Sequence, residues 1–183
     1  QPAEETGTGA PGCLELFERE QVAQIYGAHN LPGLPLGRVV TRPGTFACAS
    51  RGVTLSFLGR PTHAAYPEHG LSPAPAVGRL LCALPGLSDP ARFGGMTLCT
   101  VIGTQMGAAA ARAEVWLTLR AERDEDLELL FAGLLRLAQS LAAEYGLAFD
   151  HQVQDVFPAT VNDPACAQRV LELCGGSVLD APM

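Results

Sequence analysis

The chain has 183 residues, of which 48% are hydrophobic and 17% are charged, and its formal net charge at pH 7 is −7. This balance is typical of an acidic globular protein, and its 12 Lys and Arg residues never cluster as they do on nucleic-acid-binding surfaces. No run of about eighteen or more apolar residues and no charged-then-apolar leader occurs, so we expect a cytoplasmic protein with no membrane span.

Two neighbouring carboxylates, Glu4 and Glu5, stand near the start of the sequence. Such a pair is usually part of a solvated loop. It can also divide the work of a metal site, because one carboxylate can ligate the ion while the other acts as a base beside water. Both interpretations stay open on these residues alone.

A histidine follows the first predicted elements, which are a short helix at residues 13–19 and a short strand at residues 22–26. His29 comes just after this strand. Imidazole suits Zn, Mn, Co or Ni, and a ligand at the end of a strand would be held in place by a sheet. The alternative is a surface histidine beside a turn.

Residues 39–45 contain Arg42, Pro43 and Gly44 and are predicted to be a linker. Strand-like and helix-like patterns alternate after it. The predicted elements are a strand within 46–59, a helix over 72–84 with Ser72 as its N-cap, strands at 93–103 and 109–121 joined by a link at 104–107, a helix capped by Asp124 and ended by Gly146, and a strand at 147–156.

The order β-α-β-β-α-β predicts a ferredoxin-like α+β layer, with a four-stranded antiparallel sheet and two helices on one face. A further helix is predicted to end at Cys174. The six cysteines lie far apart and form no C-x-x-C pair, so we interpret them as buried thiols without disulfides.

His63 lies in the loop between the first strand and the first helix of this layer. Residues 59–73 read G-R-P-T-H-A-A-Y-P-E-H-G-L-S-P. They resemble the signature G-x-x-x-H-A-A-x-P-x-x-G-x-x-P of the lid domain of metal-dependent amidohydrolases, the family of hippurate hydrolase and indole-acetyl-amino-acid hydrolase. A second family motif resembles residues 1–5. A third resembles the words G-A-H-N and P-G-L-P within residues 27–35, and the motifs occur in the family's order.

The resemblance implies a hydrolase that cleaves the amide bond of N-acyl amino acids or small peptides. In that case Glu4 is the general base, and Glu5 and His29 ligate part of a site for two divalent ions, drawn from Zn, Mn, Co or Ni. His63 binds the substrate and donates a hydrogen bond to the developing oxyanion.

The resemblance also implies a domain division. Residues 1–44 and 159–183 correspond to segments of an α/β catalytic domain, and residues 45–158 correspond to a lid through which two chains form a homodimer. Family chains are considerably longer than this one. The chain by itself is therefore expected to be inactive and to bind metal weakly or not at all.

The sequence departs from the family at residues 107–110, which read G-A-A-A where family lids carry an N-V-I-P word whose Asn helps to hold the substrate carboxylate. We therefore expect carboxylate recognition to differ. His69 and His151 fall on no family motif and are interpreted as non-catalytic. A non-catalytic ferredoxin-like module for binding or dimerisation is the alternative function.

Overall fold

The computed structural model describes residues 9–107 and 111–183 of the chain. The chain divides into two compact units. One unit is Ala49–Pro158, and the other consists of Gln1–Cys48 and Ala159–Met183. Within the described ranges, no helix combines the length and the apolarity that a membrane span requires.

Strands and helices follow one another along both units. The strands are β1 (Val40–Thr41), β2 (Gly44–Ala47), β3 (Ala49–Leu58), β4 (Thr97–Met106), β5 (Arg112–Ala121), β6 (Ala148–Phe157), β7 (Thr160–Asn162) and β8 (Ser177–Val178). The helices are α1 (Leu14–Arg19), α2 (Ala74–Ala83), α3 (Asp124–Glu144) and α4 (Pro164–Cys174), with short 3₁₀ turns at Ala10–Cys13, Pro67–His69, Leu84–Gly86 and Pro90–Arg92.

A four-stranded sheet organises the unit Ala49–Pro158. Its order is β4-β5-β3-β6, and every neighbouring pair is antiparallel. The central strand β3 pairs with β5 along its whole length, from Ala49 opposite Ala121 to Leu58 opposite Arg112. The predicted mixed α/β fold with a four-stranded antiparallel sheet is therefore confirmed.

The core of this unit lies between the sheet and its helices. Alternate residues of the two central strands are buried, namely Val53, Leu55 and Phe57 on β3 and Ala113, Val115, Leu117 and Leu119 on β5. Helix α3 presents a buried stripe at helical spacing, made of Leu127, Leu130, Leu134, Ala138 and Leu141, and it contacts all four strands and α2. Side chains that recur at every second residue of the strands form one wall of this core. Side chains that recur about every 3.6 residues along α3 form the other wall.

The outer strand β4 begins later and ends later than predicted. Residues 90–92 form a 3₁₀ turn in which the Ala91 N–H donates to Asp89 Oδ1 at 3.0 Å, bends follow at residues 93–95, and pairing with β5 begins at Thr97. The strand continues past Gly103 to Met106, which pairs with Ala113. At Gly103 the Trp116 ring of the neighbouring strand occupies the space where a side chain would stand. A Cβ built at Gly103 would lie 2.4 Å from Trp116 Cε3.

Both predicted helix caps of this unit are wrong by one residue. Pro73 is the N-cap of α2, and the Ser72 hydroxyl accepts from the Ala74 N–H at 3.2 Å without being the cap itself. Extended Arg123 is the N-cap of α3, so Asp124 is the first helical residue. Its carboxylate there still favours the positive end of the helix dipole.

Two pairs of short strands belong to the other unit. Strand β1 runs parallel to β8, and β2 runs antiparallel to β7. The prediction of a linker at 39–45 is therefore wrong, because these residues pair with strands more than a hundred positions along the chain. Helix α4 is capped by Asp163, whose Oδ1 accepts from the Cys166 N–H at 2.9 Å, and it ends at left-handed Gly175 with φ of 60°.

The predicted strand at residues 22–26 is also wrong, since these residues pair with no strand in the described part of the chain. The Val22 N–H instead donates to Phe17 O at 3.1 Å, and together with left-handed Gln21 this bond closes the end of α1. Ile25 is 62% exposed. A short apolar run forms a strand only where another strand supplies hydrogen-bond partners.

Most of the six cysteines are not buried as predicted. Cys48 is buried and Cys99 and Cys166 are half-buried, whereas Cys13, Cys82 and Cys174 are exposed. The exposed cysteines lie on or beside helices that turn these positions toward solvent. The half-buried position of Cys99 raises the pKa of its thiol to about 11, because burial penalises the thiolate.

Candidate active-site loop and metal-ligand segment

His63 belongs to a closed loop that leaves β3 and returns before α2, here called the 60–71 loop. Arg60 and Leu71 close it with two hydrogen bonds, from Arg60 N–H to Leu71 O at 3.0 Å and from Leu71 N–H to Arg60 O at 2.8 Å. Two glycines permit this closure. A Cβ at Gly59 would lie 1.9 Å from Leu71 O, and one at Gly70 would lie 2.3 Å from Thr62 Cγ2.

The His63 ring is exposed, and its ring nitrogens have distinct roles. The Ala65 N–H donates to His63 Nδ1 at 3.1 Å. Because Nδ1 must accept, the neutral ring carries its proton on Nε2. Among the described residues, no protein acceptor takes the Nε2–H, so this donor is available to a substrate oxygen.

His29 has the opposite arrangement. Its Nδ1 lies 2.7 Å from the carbonyl oxygen of Asn30, which can only accept, so Nδ1 carries the proton. The lone pair is therefore on Nε2, and this exposed nitrogen is free to bind a cation. A backbone carbonyl on one ring nitrogen and a metal on the other is a common setting for metal-binding histidines.

The other predicted metal ligand, Glu5, and the predicted base, Glu4, lie outside the described residues, as do Ala108, Ala109 and Ala110 of the divergent word at 107–110. Within residues 9–107 and 111–183, no group of three or more His, Cys, Asp and Glu side chains could hold an ion. His29 lies in the unit Gln1–Cys48 with Ala159–Met183, and His63 lies in the other unit.

The two histidines interpreted as non-catalytic have packing partners. The His69 ring stacks on the Tyr66 ring with centroids 5.9 Å apart, and its Nε2 is 3.7 Å from Glu68 Oε1. The His151 ring lies 6.0 Å from the Phe131 ring and 6.3 Å from the Phe149 ring. These contacts are compatible with a structural role for both His69 and His151.

Sequence reasoning overlooked Tyr66. Its ring is 56% exposed and lies between His63 and His69 in the 60–71 loop. The spacing of these three aromatic residues, three positions apart in each step, is the signal in the sequence that could have identified them as neighbours.

A histidine that can bind a cation and a histidine that can donate to a carbonyl oxygen are the parts expected in a metal-dependent hydrolase. The chain belongs to the peptidase family M20/M25/M40, whose model matches residues 1–180. The family predicted from the words around Glu5, His29 and His63 is thereby confirmed.

Relatives and solved structures agree with this membership. The chain is 29% identical over 179 residues to N-acetyldiaminopimelate deacetylase of Exiguobacterium sibiricum, covering 94% of this chain and 47% of that protein. It is 29% identical over 193 residues to IAA-amino acid hydrolase ILR1-like 4 of Arabidopsis thaliana, covering 96% of this chain and 42% of that protein. The chain thus spans about half the length of the curated relatives that it matches.

Among solved structures, a dinuclear metal-binding peptidase of the M20 family from Bacillus subtilis superposes with a TM-score of 0.72 at 23% identity. The match covers 100% of this chain and 48% of that one. It supports the fold.

Proposed function

We propose that this chain is the middle part of a metal-dependent amidohydrolase that cleaves the amide bond of N-acyl amino acids or small peptides. Family membership supports the reaction class, and the names of both curated relatives describe hydrolysis of acylated or conjugated amino acids. The observation that carries the proposal is the pair of ring settings, with an Nε2 lone pair on His29 and an Nε2–H donor on His63.

His29 and Glu5 would hold part of a site for two divalent ions, and Zn, Mn, Co and Ni all suit an imidazole and carboxylate ligand set. When bound, such ions supply Lewis-acid polarisation and a water nucleophile at neutral pH. Glu4 would take a proton from the attacking water and deliver it to the leaving amine. The His63 Nε2–H would donate to the carbonyl oxygen as negative charge develops on it.

The unit around the four-stranded sheet would serve as the lid, within the proposed division at 1–44, 45–158 and 159–183. Its strand order and its β-α-β-β-α-β sequence support a ferredoxin-like layer. Because residues 107–110 lack the family's usual Asn, we infer that another group holds the substrate carboxylate. Cytoplasmic location stays a prediction.

We further propose that the lid forms a homodimer through the β4 edge of its sheet. β4 has a neighbour on one side only, and four of its apolar side chains are exposed: Leu98 (45%), Val101 (39%), Ile102 (63%) and Met106 (41%). An open apolar edge favours pairing with a second copy across a two-fold axis. His63 could then serve either its own chain or the partner chain.

The test is to assay the full-length protein, loaded in turn with Zn, Mn, Co or Ni, on N-acetyl and N-benzoyl amino acids. Cleavage of at least one amide is expected, and His29→Ala should abolish it while lowering the bound metal. His151→Gln, a histidine on β6 away from every family word, is the matched control and should retain activity. No cleavage by any metal form would favour the non-catalytic module, and full activity in His29→Ala would contradict the proposed role of His29 as a metal ligand.

A further inference from the structure

The ring of Tyr66 lies next to the ring of His63. The two centroids are 6.0 Å apart with an interplanar angle of 49°, within the range in which aromatic rings attract each other in tilted pairs. The His69 ring stacks on Tyr66 at 5.9 Å and 15°. Since Tyr66 is 56% exposed, its ring adds little to the core, and it forms ring pairs with both imidazoles.

The loop backbone holds Tyr66 independently of its side chain. Its N–H donates to His63 O at 2.9 Å, and its carbonyl oxygen accepts from Thr62 Oγ1 at 2.8 Å and from the His69 N–H at 3.1 Å. A substitution that changes only the ring should therefore leave the 60–71 loop closed. Ring and backbone roles can be separated by mutation.

The His63 ring needs a second contact to keep one orientation. Among the described residues its one side-chain hydrogen bond, from the Ala65 N–H to Nδ1, is exposed to water, and a single bond of this kind is weak. Rotation about χ1 would break this bond, move Nε2 and carry the imidazole away from the Tyr66 ring. The tilted ring pair therefore favours the observed rotamer.

We propose that Tyr66 is a positioning residue for His63, keeping the imidazole in the orientation in which Nδ1 accepts from Ala65 and Nε2–H is free to donate. The inference rests on the proposed function of His63. Tyr66 would contribute to that function by acting through the His63 side chain, and it need not touch the substrate.

The test uses the zinc-loaded full-length protein with ¹⁵N-labelled histidine, in which the His63 signals are assigned by their loss in His63→Ala. The neutral wild-type ring should show the proton on Nε2. Tyr66→Leu should give a mixture of both tautomers, whereas Tyr66→Phe, which keeps the ring, should match the wild type. His69→Leu is the control, because His69 touches Tyr66 from the other side.

Kinetics provide the second measurement. Tyr66→Leu should lower kcat about three- to tenfold with little change in KM, as expected for losing one aromatic contact, and Tyr66→Phe should restore it. Tyr66→Gln should behave like Tyr66→Leu and serves as the second variant in case Tyr66→Leu folds poorly.

The outcomes separate the two claims. If His63→Ala is nearly inactive but His63 keeps its wild-type tautomer in both Tyr66→Leu and Tyr66→Gln, positioning by Tyr66 is wrong and the proposed function stands. If His63→Ala keeps wild-type turnover, the proposed role of His63 is wrong, and the role of Tyr66 falls with it.

Discussion

Gly59 and Leu71 approach each other so closely that a Cβ on the glycine would lie 1.9 Å from the carbonyl oxygen of Leu71. That oxygen accepts one of the two hydrogen bonds that close the 60–71 loop. The close approach of Gly59 and Leu71 therefore helps to fix the loop that carries His63, although neither residue carries a reactive group.

Gly59→Ala should open the 60–71 loop. The new methyl group has to displace backbone, so we expect a loss of about 2–4 kcal/mol in the free energy of unfolding, from overpacking together with lost loop hydrogen bonds. Gly78→Ala is the matched control. A Cβ at Gly78, which lies in α2, meets nothing within 4 Å, and alanine there should stabilise by up to about 1 kcal/mol. Urea unfolding of the three proteins measures both changes, and equal stability of the two variants would contradict the clash.

Cys99 should react more slowly than the exposed thiols. Burial on β4 raises its pKa to about 11, so the thiolate fraction at pH 8 is roughly a hundredfold below that of an ordinary cysteine. Its labelling rate should therefore keep rising with pH until about pH 11. Mass spectrometry after brief alkylation at pH 8 should find Cys82, which is exposed on α2, modified long before Cys99. Equal rates at the two sites would show that β4 opens readily.

Ile102→Lys should convert the proposed dimer to a monomer. Ile102 is 63% exposed on the edge strand β4, where a lysine places a charge in any pairing with a second copy. Val153→Lys is the control, because Val153 is 41% exposed on β6, the opposite edge of the same sheet. Light scattering of the full-length protein should give a monomer for the first variant alone. A monomeric wild type, or a dimeric Ile102→Lys, would contradict the β4 interface.

If His63 serves the partner chain, two inactive variants should complement each other. His63→Ala and Glu4→Ala should each be nearly inactive in the full-length protein. Loss of an oxyanion donor costs about a hundred- to a thousandfold in turnover, and loss of a general base costs about a hundred- to ten-thousandfold. Random pairing after co-refolding places about half of the molecules in mixed dimers with one intact site each, so about a quarter of wild-type activity should return. No recovery, once mixed dimers are demonstrated, would mean that His63 acts within its own chain.

The 183-residue chain by itself should bind divalent metal weakly. His29 and Glu5 are two ligands of a larger expected set, and the described residues contain no cluster of three candidate ligands. Calorimetry with zinc should show no stoichiometric binding in the submicromolar range. Tight binding that His29→Ala removes would mean that this chain contains a complete site.

Local patterns in the sequence determined much of the fold and the family. The alternation of Val53, Leu55 and Phe57 and the stripe from Leu127 to Leu141 predicted buried faces that the structure confirms. These patterns work because burial repeats with the period of each element. The words around His29 and His63 named the family. In the second word, few residues besides glycine fit at positions 59 and 70, because a Cβ would meet the Leu71 carbonyl oxygen at the first position and the Thr62 side chain at the second.

The failed predictions of a strand at 22–26 and of a linker at 39–45 share a cause, which is that the deciding partner has to come from far along the chain. Residues 22–26 are largely apolar, yet no strand of the described residues lies beside them, whereas the linker-like residues around Gly44 pair with Asn162 in β2 and β7. Pairing of this kind depends on where distant segments meet, and no local pattern records it.

The chemistry of the two histidines also depends on the fold, although the groups that decide it lie only one and two positions along the chain. The sequence alone determined that His29 and His63 stand in family words, but both residues are the same imidazole until the backbone around them is folded. The Asn30 carbonyl makes His29 carry its proton on Nδ1, and the Ala65 N–H makes His63 carry it on Nε2. Only the tertiary structure decided this difference, because a tautomer depends on the direction of a neighbouring dipole rather than on residue type.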